Sequence, residues 1–243
     1  MDIEVERYER DFQETEPAET PIYFLDKRAG QKNHLAYLIA DPKNEFKKGQ
    51  LKVINKKAIE LSRPLSLADP DQTIYLTKVV QAFLRADNVQ DPNDQRASMA
   101  ELLMERFEAD ELIDATTLIE LSNRFFGHLQ QAFEIKKIHR QYPIHFHYHQ
   151  RLFETEIDFL VETSTGLIVI KNNNTRGDLK QQKKQMFENA PWFQLCAKAL
   201  QISFPKGNIQ NLIHFFLEGK LMEIELIEKV APAKINLQQK LFE

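Results

Sequence analysis

The sequence predicts an α/β protein, a mixed sheet flanked by helices with an N-terminal helical block. Three observations carry that prediction. Between residues 69 and 133 apolar side chains recur at helical spacing. From 134 to 174 the pattern changes to alternating and β-branched runs. One more helical segment, 177–200, and two strand-like segments, 209–218 and 220–228, follow. Helices, three strands, a helix and two strands in that order describe a sheet with helices packed on it.

The elements follow in chain order. Residues 1–20 are acidic and mixed, read as a flexible arm or a remnant of something longer. Residues 21–25 (PIYFL) suit a short strand, 26–49 are polar and lysine-rich and read as loop, and 50–62 alternate weakly, as one or two peripheral strands. Asp69 to Gln72 signals a helix start before TIYLTKVVQAFLRA, which places Leu76, Val79, Val80, Phe83 and Leu84 on one face. Residues 88–96 read as loop, and Ser98 starts a helix over 98–107. Asp114 caps the next helix, whose stripe is Leu118, Leu121, Phe125, Leu129 and Phe133. The run 134–149 alternates but contains Pro143, which implies an edge strand or a bulge. Pro191 either kinks the 177–200 helix or starts its second half. Gly219 is the turn of a closing hairpin.

Composition narrows the function classes. The chain has 243 residues and is 42% hydrophobic and 28% charged, which suits a globular protein with a sizeable core. A net charge of −4 excludes the global basic field of a nucleic-acid coat protein, so DNA contact would need a local patch. Cys196 is the one cysteine, so no intrachain disulfide is possible. No apolar run approaches a membrane span, and the expected setting is soluble and cytoplasmic. Neither GxxxxGKS/T nor GxGxxG occurs, so a nucleotide-driven motor is not expected within this chain.

The hairpin Glu154 to Asn174 (ETEIDFLVETSTGLIVIKNNN) concentrates the polar chemistry. A turn symmetric about Ser164 and Thr165 sets Asp158 opposite Lys171 and Glu156 opposite Asn173. Strand alternation then puts Lys171 and Asn173 on the face of Asp158. A metal-dependent nuclease needs hard oxygen ligands and a nearby lysine. Asp158 suits that role, but Lys171 would occupy the cation's place. The plainer reading is a cross-strand ion pair worth roughly 0.2–1 kcal/mol.

Three other groups stand out. His145, His147 and His149 share a strand face, as metal ligands or as a polar face opposite inward Ile144, Phe146 and Tyr148. Lys180, Lys183 and Lys184 with Arg176 make a basic face at the start of the long helix, for phosphate backbone or for solvent. Trp192, Phe193 and Cys196 at helical spacing read as core.

The phrases PLSLADPDQTIYLTKVVQAFLRAD, IHRQYPI, EIDFLVETSTGLIVIKNNN, WFQLCAKAL and NLIHFFL fall in an order and spacing that resembles the C-terminal nuclease domain of RecB/AddA-type, UvrD-like helicase–nucleases, a branch of the PD-(D/E)XK superfamily. The resemblance covers about residues 48–227. It implies a restriction-endonuclease-like domain over 48–230, an N-terminal arm and peripheral segment over 1–47 and a tail over 231–243. It places the family's helix histidine on Gln81, its strand histidine on His139 and the following glutamate on Gln141. The first metal-binding aspartate falls on Asp158, the second on Lys171, and the catalytic lysine on Asn173. The glutamine and tyrosine of the next helix fall on Trp192 and Cys196. Only Asp158 and His139 keep the family's residue type. A register two places off would set Val169 and Lys171 at the second-aspartate and lysine positions, still one carboxylate short.

These losses imply a nuclease fold without the family's hydrolysis, serving DNA binding or assembly beside a helicase motor or partner subunit in DNA repair. Two alternatives stay open. One is a residual nuclease using Mg²⁺ or Mn²⁺ on Asp158 with Glu154, Glu156 or Glu162 as a displaced ligand. The other is a protein-interaction module without DNA contact.

Overall fold

A computed structural model describes residues 41–46, 50–66, 72–148, 151–205 and 207–228. Six strands form one mixed sheet: β1 (Leu51–Glu60), β2 (Ile135–Tyr148), β3 (Arg151–Thr163), β4 (Gly166–Asn173), β5 (Asn208–Phe215) and β6 (Lys220–Glu228), in the spatial order β1-β6-β5-β4-β3-β2. Only β4 and β5 run parallel, joined by a crossover helix as parallel strands require. Among the described residues the helices are α1 (Pro42–Glu45), α2 (Thr73–Ala86), α3 (Asn93–Arg106), α4 (Ala115–Ala132) and α5 (Leu179–Ser203). The arm and the 21–25 segment lie outside the described residues, as does Asp69.

Each face of the sheet holds a core. On one face α2, α3 and α4 bury Leu76, Val79, Val80, Phe83, Leu84, Ala100, Met104, Leu118, Phe125 and Leu129 against Phe159, Val161, Ile168 and Ile170. The five residues expected on the inner face of α2 are all buried, because that stripe recurs at the helical period. Phe125 lies 5.3 Å from Phe159 between ring centroids, and Phe126 meets Phe159 edge-on at 5.6 Å. On the other face α5 buries Met186, Trp192, Phe193, Leu195, Cys196 and Leu200 against Ile157, Leu160, Val169, Ile213 and Met222. Phe46, just past α1, joins this second core.

Local chemistry accounts for the boundaries. The Asp114 carboxylate accepts the Thr117 N–H at 2.7 Å and caps α4. Asp178 does the same for α5 through Gln181 N–H at 2.9 Å. Pro191 lies within α5, which continues through it to Ser203. The chain between β5 and β6 is a 3-10 turn over Phe216–Glu218, then Gly219 at φ 61°, a left-handed conformation that glycine adopts without penalty. Helix α3 begins at Asn93, five residues before the Ser98 start expected from sequence. Pro92 sits at its N-cap, and Arg96 in its first turn is drawn to a buried partner.

That partner is Asp87, at the end of α2. Arg96 Nε and Nη2 donate to its two oxygens at 2.8 and 2.7 Å, and Ser122 Oγ donates to Oδ2 at 2.5 Å. Arg96 is 3% exposed and Asp87 0%, so this ion pair has no solvent screening. Asn123 Oδ1 accepts from Arg96 at 2.8 Å, and Arg140 of β2 donates to the Asp87 carbonyl at 2.5 Å. One carboxylate thus ties α2, α3 and α4 together, and its own carbonyl reaches the sheet.

Strands β2 and β3 change face together. On β2, Ile138 packs in the α2–α4 core and Arg140 lies over Phe126, whereas Tyr142 and Ile144 pack in the α5 core. On β3, Ile157 belongs to the α5 core, and Phe159 and Val161 to the other. A regular strand would keep residues of one parity on one face. The reversal falls at Gln141, a non-glycine residue at φ 53°. Pairing runs unbroken on either side, Arg140 with Phe159 and Tyr142 with Ile157. Pro143 lies nearby on β2, an edge strand, the kind of strand in which a sheet tolerates proline.

Candidate functional site at the β3–β4 fork

The β3–β4 hairpin has the register expected from its turn: Glu162 pairs with Leu167 and Phe159 with Ile170. Pairing stops at that last rung. Beyond it β3 continues along β2 to Arg151, and β4 continues along β5 to Asn173. The two central strands therefore fork, at the carboxyl ends of parallel β4 and β5, the place where open α/β sheets present a crevice.

Asp158 is the first residue inside the fork. Its Oδ2 accepts the Asn172 backbone N–H at 2.9 Å, a donor freed where the ladder ends. Its Oδ1 accepts Arg85 Nη2 from α2 at 2.8 Å. The Asp158 side chain is 14% exposed and that of Arg85 33%. The expected ion pair of Asp158 with Lys171 is therefore replaced by one with Arg85. The physical reason is the reversal at Gln141, opposite Asp158, which turns this stretch of β3 toward the α2 side.

Lys171 and Asn173 lie on the α5 side instead. Lys171 Nζ sits 3.9 Å from the centroid of the Trp192 ring, a cation–π contact. Burial lowers the pKa of its ammonium, and the Asp158 carboxylate, which opposes that shift, is near enough to be felt. Trp192 Nε1 donates to Thr155 Oγ1 at 2.8 Å, which fixes the ring under the lysine. Cys196 is fully buried, and burial pushes its thiol up, only partly offset by Lys171. It is an inert core thiol rather than a nucleophile. Asn173 Nδ2 donates to Gln185 of α5 at 3.3 Å, and its Oδ1 accepts Thr175 N–H at 2.8 Å.

The remaining resemblance positions are more dispersed. Gln81 is half-buried on α2, one turn before Arg85. His139 Nε2 is 2.6 Å from Glu162 Oε1, so its ring is committed to that carboxylate rather than to Asp158. Gln141 Nε2 donates to Glu156 at 3.0 Å. The fork gathers Asp158, Lys171, Trp192 and Cys196, but divides them between the two faces of the sheet.

A divalent cation does not fit these residues. Both Asp158 oxygens are already engaged, one of them by a cation, and the Lys171 ammonium adds a second positive charge near it. Among the described residues no three His, Cys, Asp or Glu side chains converge as a metal-ligand group. The displaced ligands considered from sequence are also engaged: Glu154 pairs with His145 at 3.3 Å, Glu156 with Gln141, and Glu162 with His139. His147 is exposed opposite Leu152, and His149 lies outside the described residues.

Lys180, Lys183 and Lys184 are exposed on the first turns of α5, with Lys184 3.8 Å from Glu188. Arg176 leaves that group: its Nη2 donates to the Leu65 carbonyl at 2.5 Å, and its Nε is 3.7 Å from Glu218.

Sequence reasoning missed Arg85, the residue that decides the state of Asp158. Its one signal was a position one turn after Gln81 on the same helix. It also missed His214, stacked on Phe125 at 4.2 Å, with Nδ1 3.1 Å from Asn172 Oδ1. Complete burial holds the His214 imidazole pKa down at about 3, so the ring is neutral.

No protein-family model matches this chain, and no curated protein sequence matches it. Among the described residues no helix is long and apolar enough to cross a membrane.

Proposed function

We propose that this chain is a RecB-type, PD-(D/E)XK-like nuclease domain whose hydrolytic chemistry has been abandoned, retained for DNA binding or assembly in a cytoplasmic helicase–exonuclease system of DNA repair. The observation that supports this most is the double engagement of Asp158 by Arg85 and the Asn172 N–H. A carboxylate neutralised by a guanidinium has little field left for Mg²⁺ or Mn²⁺. Lys171 removes the second anionic ligand from the same fork. The exposed lysines of α5, set beside its positive N-terminal end, supply a local basic patch on an acidic chain.

Two measurements test this reading. Incubation with linear duplex and single-stranded DNA plus Mg²⁺ or Mn²⁺ should give no cleavage; cleavage that Asp158→Ala abolishes overturns the proposal. Titration with DNA across salt concentrations should show affinity falling steeply with salt, and falling further in the Lys180→Glu, Lys183→Glu, Lys184→Glu triple variant. Absence of any salt-sensitive binding would favour a protein-interaction module instead.

A further inference from the structure

The sheet carries a second fork, on the other side of the β4–β5 pair and at its opposite end. Antiparallel pairing of β5 with β6 ends at the rung Asn211 with Ile224. Past it β5 stays with β4 as far as Asn208, and β6 stays with β1 as far as Glu228. A cleft of about 380 Å³ opens between the parted strands, covered on one side by Gln194, Ala197 and Gln201 of α5. That volume lies in the range of small-molecule sites.

The lining is rich in carboxamides. Gln194, Gln201, Asn208, Gln210 and Asn211 all face it. Its lysine, Lys56, is 3.4 Å from Glu225, and Glu223 accepts from Gln210 at 3.4 Å. Asn211 forms the floor. It is 6% exposed, and its Oδ1 is buried with no hydrogen-bond partner among the described residues. Asn55 is paired with Ile224 from the β1 side and also has a buried, unpartnered Oδ1. A buried amide oxygen without a donor is costly to the folded chain, so a donor brought by a ligand would be bound with the full benefit of satisfying it.

We propose that the β5–β6 fork is a binding site for a small uncharged molecule that presents an adjacent donor and acceptor, as a carboxamide or a nucleobase edge does, with the Asn211 side chain as its recognition element. A side-chain carboxamide pairs with such an edge through two parallel hydrogen bonds, as asparagine does with adenine. The site is independent of Asp158 and of any DNA-binding role for α5.

The full chain, isotopically labelled, is titrated with nicotinamide, adenine and cytosine while the side-chain amide resonances are followed. At least one probe at millimolar concentration should shift the Asn211 amide saturably and raise the melting temperature. Response to nicotinamide alone assigns the site to carboxamides, and response to a base alone assigns it to nucleobases. Asn211→Leu removes the floor amide and should weaken binding by about tenfold or more. Ala197→Phe fills the cleft from α5 and should abolish binding, which keeps the test open if Asn211→Leu fails to fold. Absence of a saturable shift with all three probes overturns the proposal. So does binding that a folded Asn211→Leu or Ala197→Phe variant leaves unchanged.

Discussion

Arg96→Met isolates the ion pair that ties the helical block together. The substitution keeps the aliphatic bulk but leaves the Asp87 carboxylate, wholly buried, with the Ser122 hydroxyl as its one side-chain donor among the described residues and the Arg140 guanidinium as the nearby cation. Removing one partner of such a pair costs about 3–5 kcal/mol, because a charge is stranded in low dielectric. That is a large share of the ~5–15 kcal/mol that holds a domain folded. With a urea m-value of about 2 kcal/mol/M, a loss of ~4 kcal/mol lowers the midpoint by about 2 M. The assay is urea unfolding followed by far-ultraviolet circular dichroism and by Trp192 fluorescence. Replacing the pair and its hydroxyl together, with Asp87→Leu, Arg96→Met and Ser122→Ala, should restore most of the lost stability, since no charge then remains buried. A loss below about 1 kcal/mol for Arg96→Met, or a triple variant no more stable than the single one, refutes the reasoning.

Other outcomes follow from single groups. The depressed pKa of His214, about 3 in the fold against 6.5 for an ordinary histidine, means that the unfolded chain binds an extra proton between those values. Stability from this group is complete above about pH 6.5 and falls by up to about 1.4 kcal/mol per unit as pH drops toward 3; urea midpoints of the wild type and His214→Gln should diverge over that window, and parallel curves would refute it. Gly219→Ala should destabilise by about 1–3 kcal/mol in thermal melts, because φ is 61° and the added carbon would fall 2.6 Å from the Ser62 carbonyl oxygen and closer still to its hydroxyl. Asp114→Ala removes the α4 cap and should cost about 1 kcal/mol in chemical denaturation.

What could be read in the sequence was what short range determines. The inner face of α2, the Asp114 cap, the register about Ser164 and Thr165, and the edge position implied by Pro143 all follow from periodicity or turn chemistry. Arg85 could not be found this way, because its meeting with Asp158 depends on how a helix lands on a sheet 73 residues away. The start of α3 was missed because a buried ion pair, rather than a cap, draws the first turn into place. Lys171 shares the face of Asp158 only where strand alternation persists. Gln141 breaks it, and glutamine carries no signature for a left-handed backbone. Arg176 looked like part of a basic helix face and is instead a clasp between the Leu65 segment and Glu218.

The reversal at Gln141 has a bearing on how the molecule comes apart. One ribbon, β2 with β3, supplies side chains to both cores: Ile138, Phe159 and Val161 to one, Ile144, Phe153 and Ile157 to the other. Neither layer of helices can then peel away without unsettling strands that anchor its counterpart. The two sides of the sheet share a fate, and unfolding watched from Trp192 in one core should coincide with unfolding watched through the α2–α4 helices in the other.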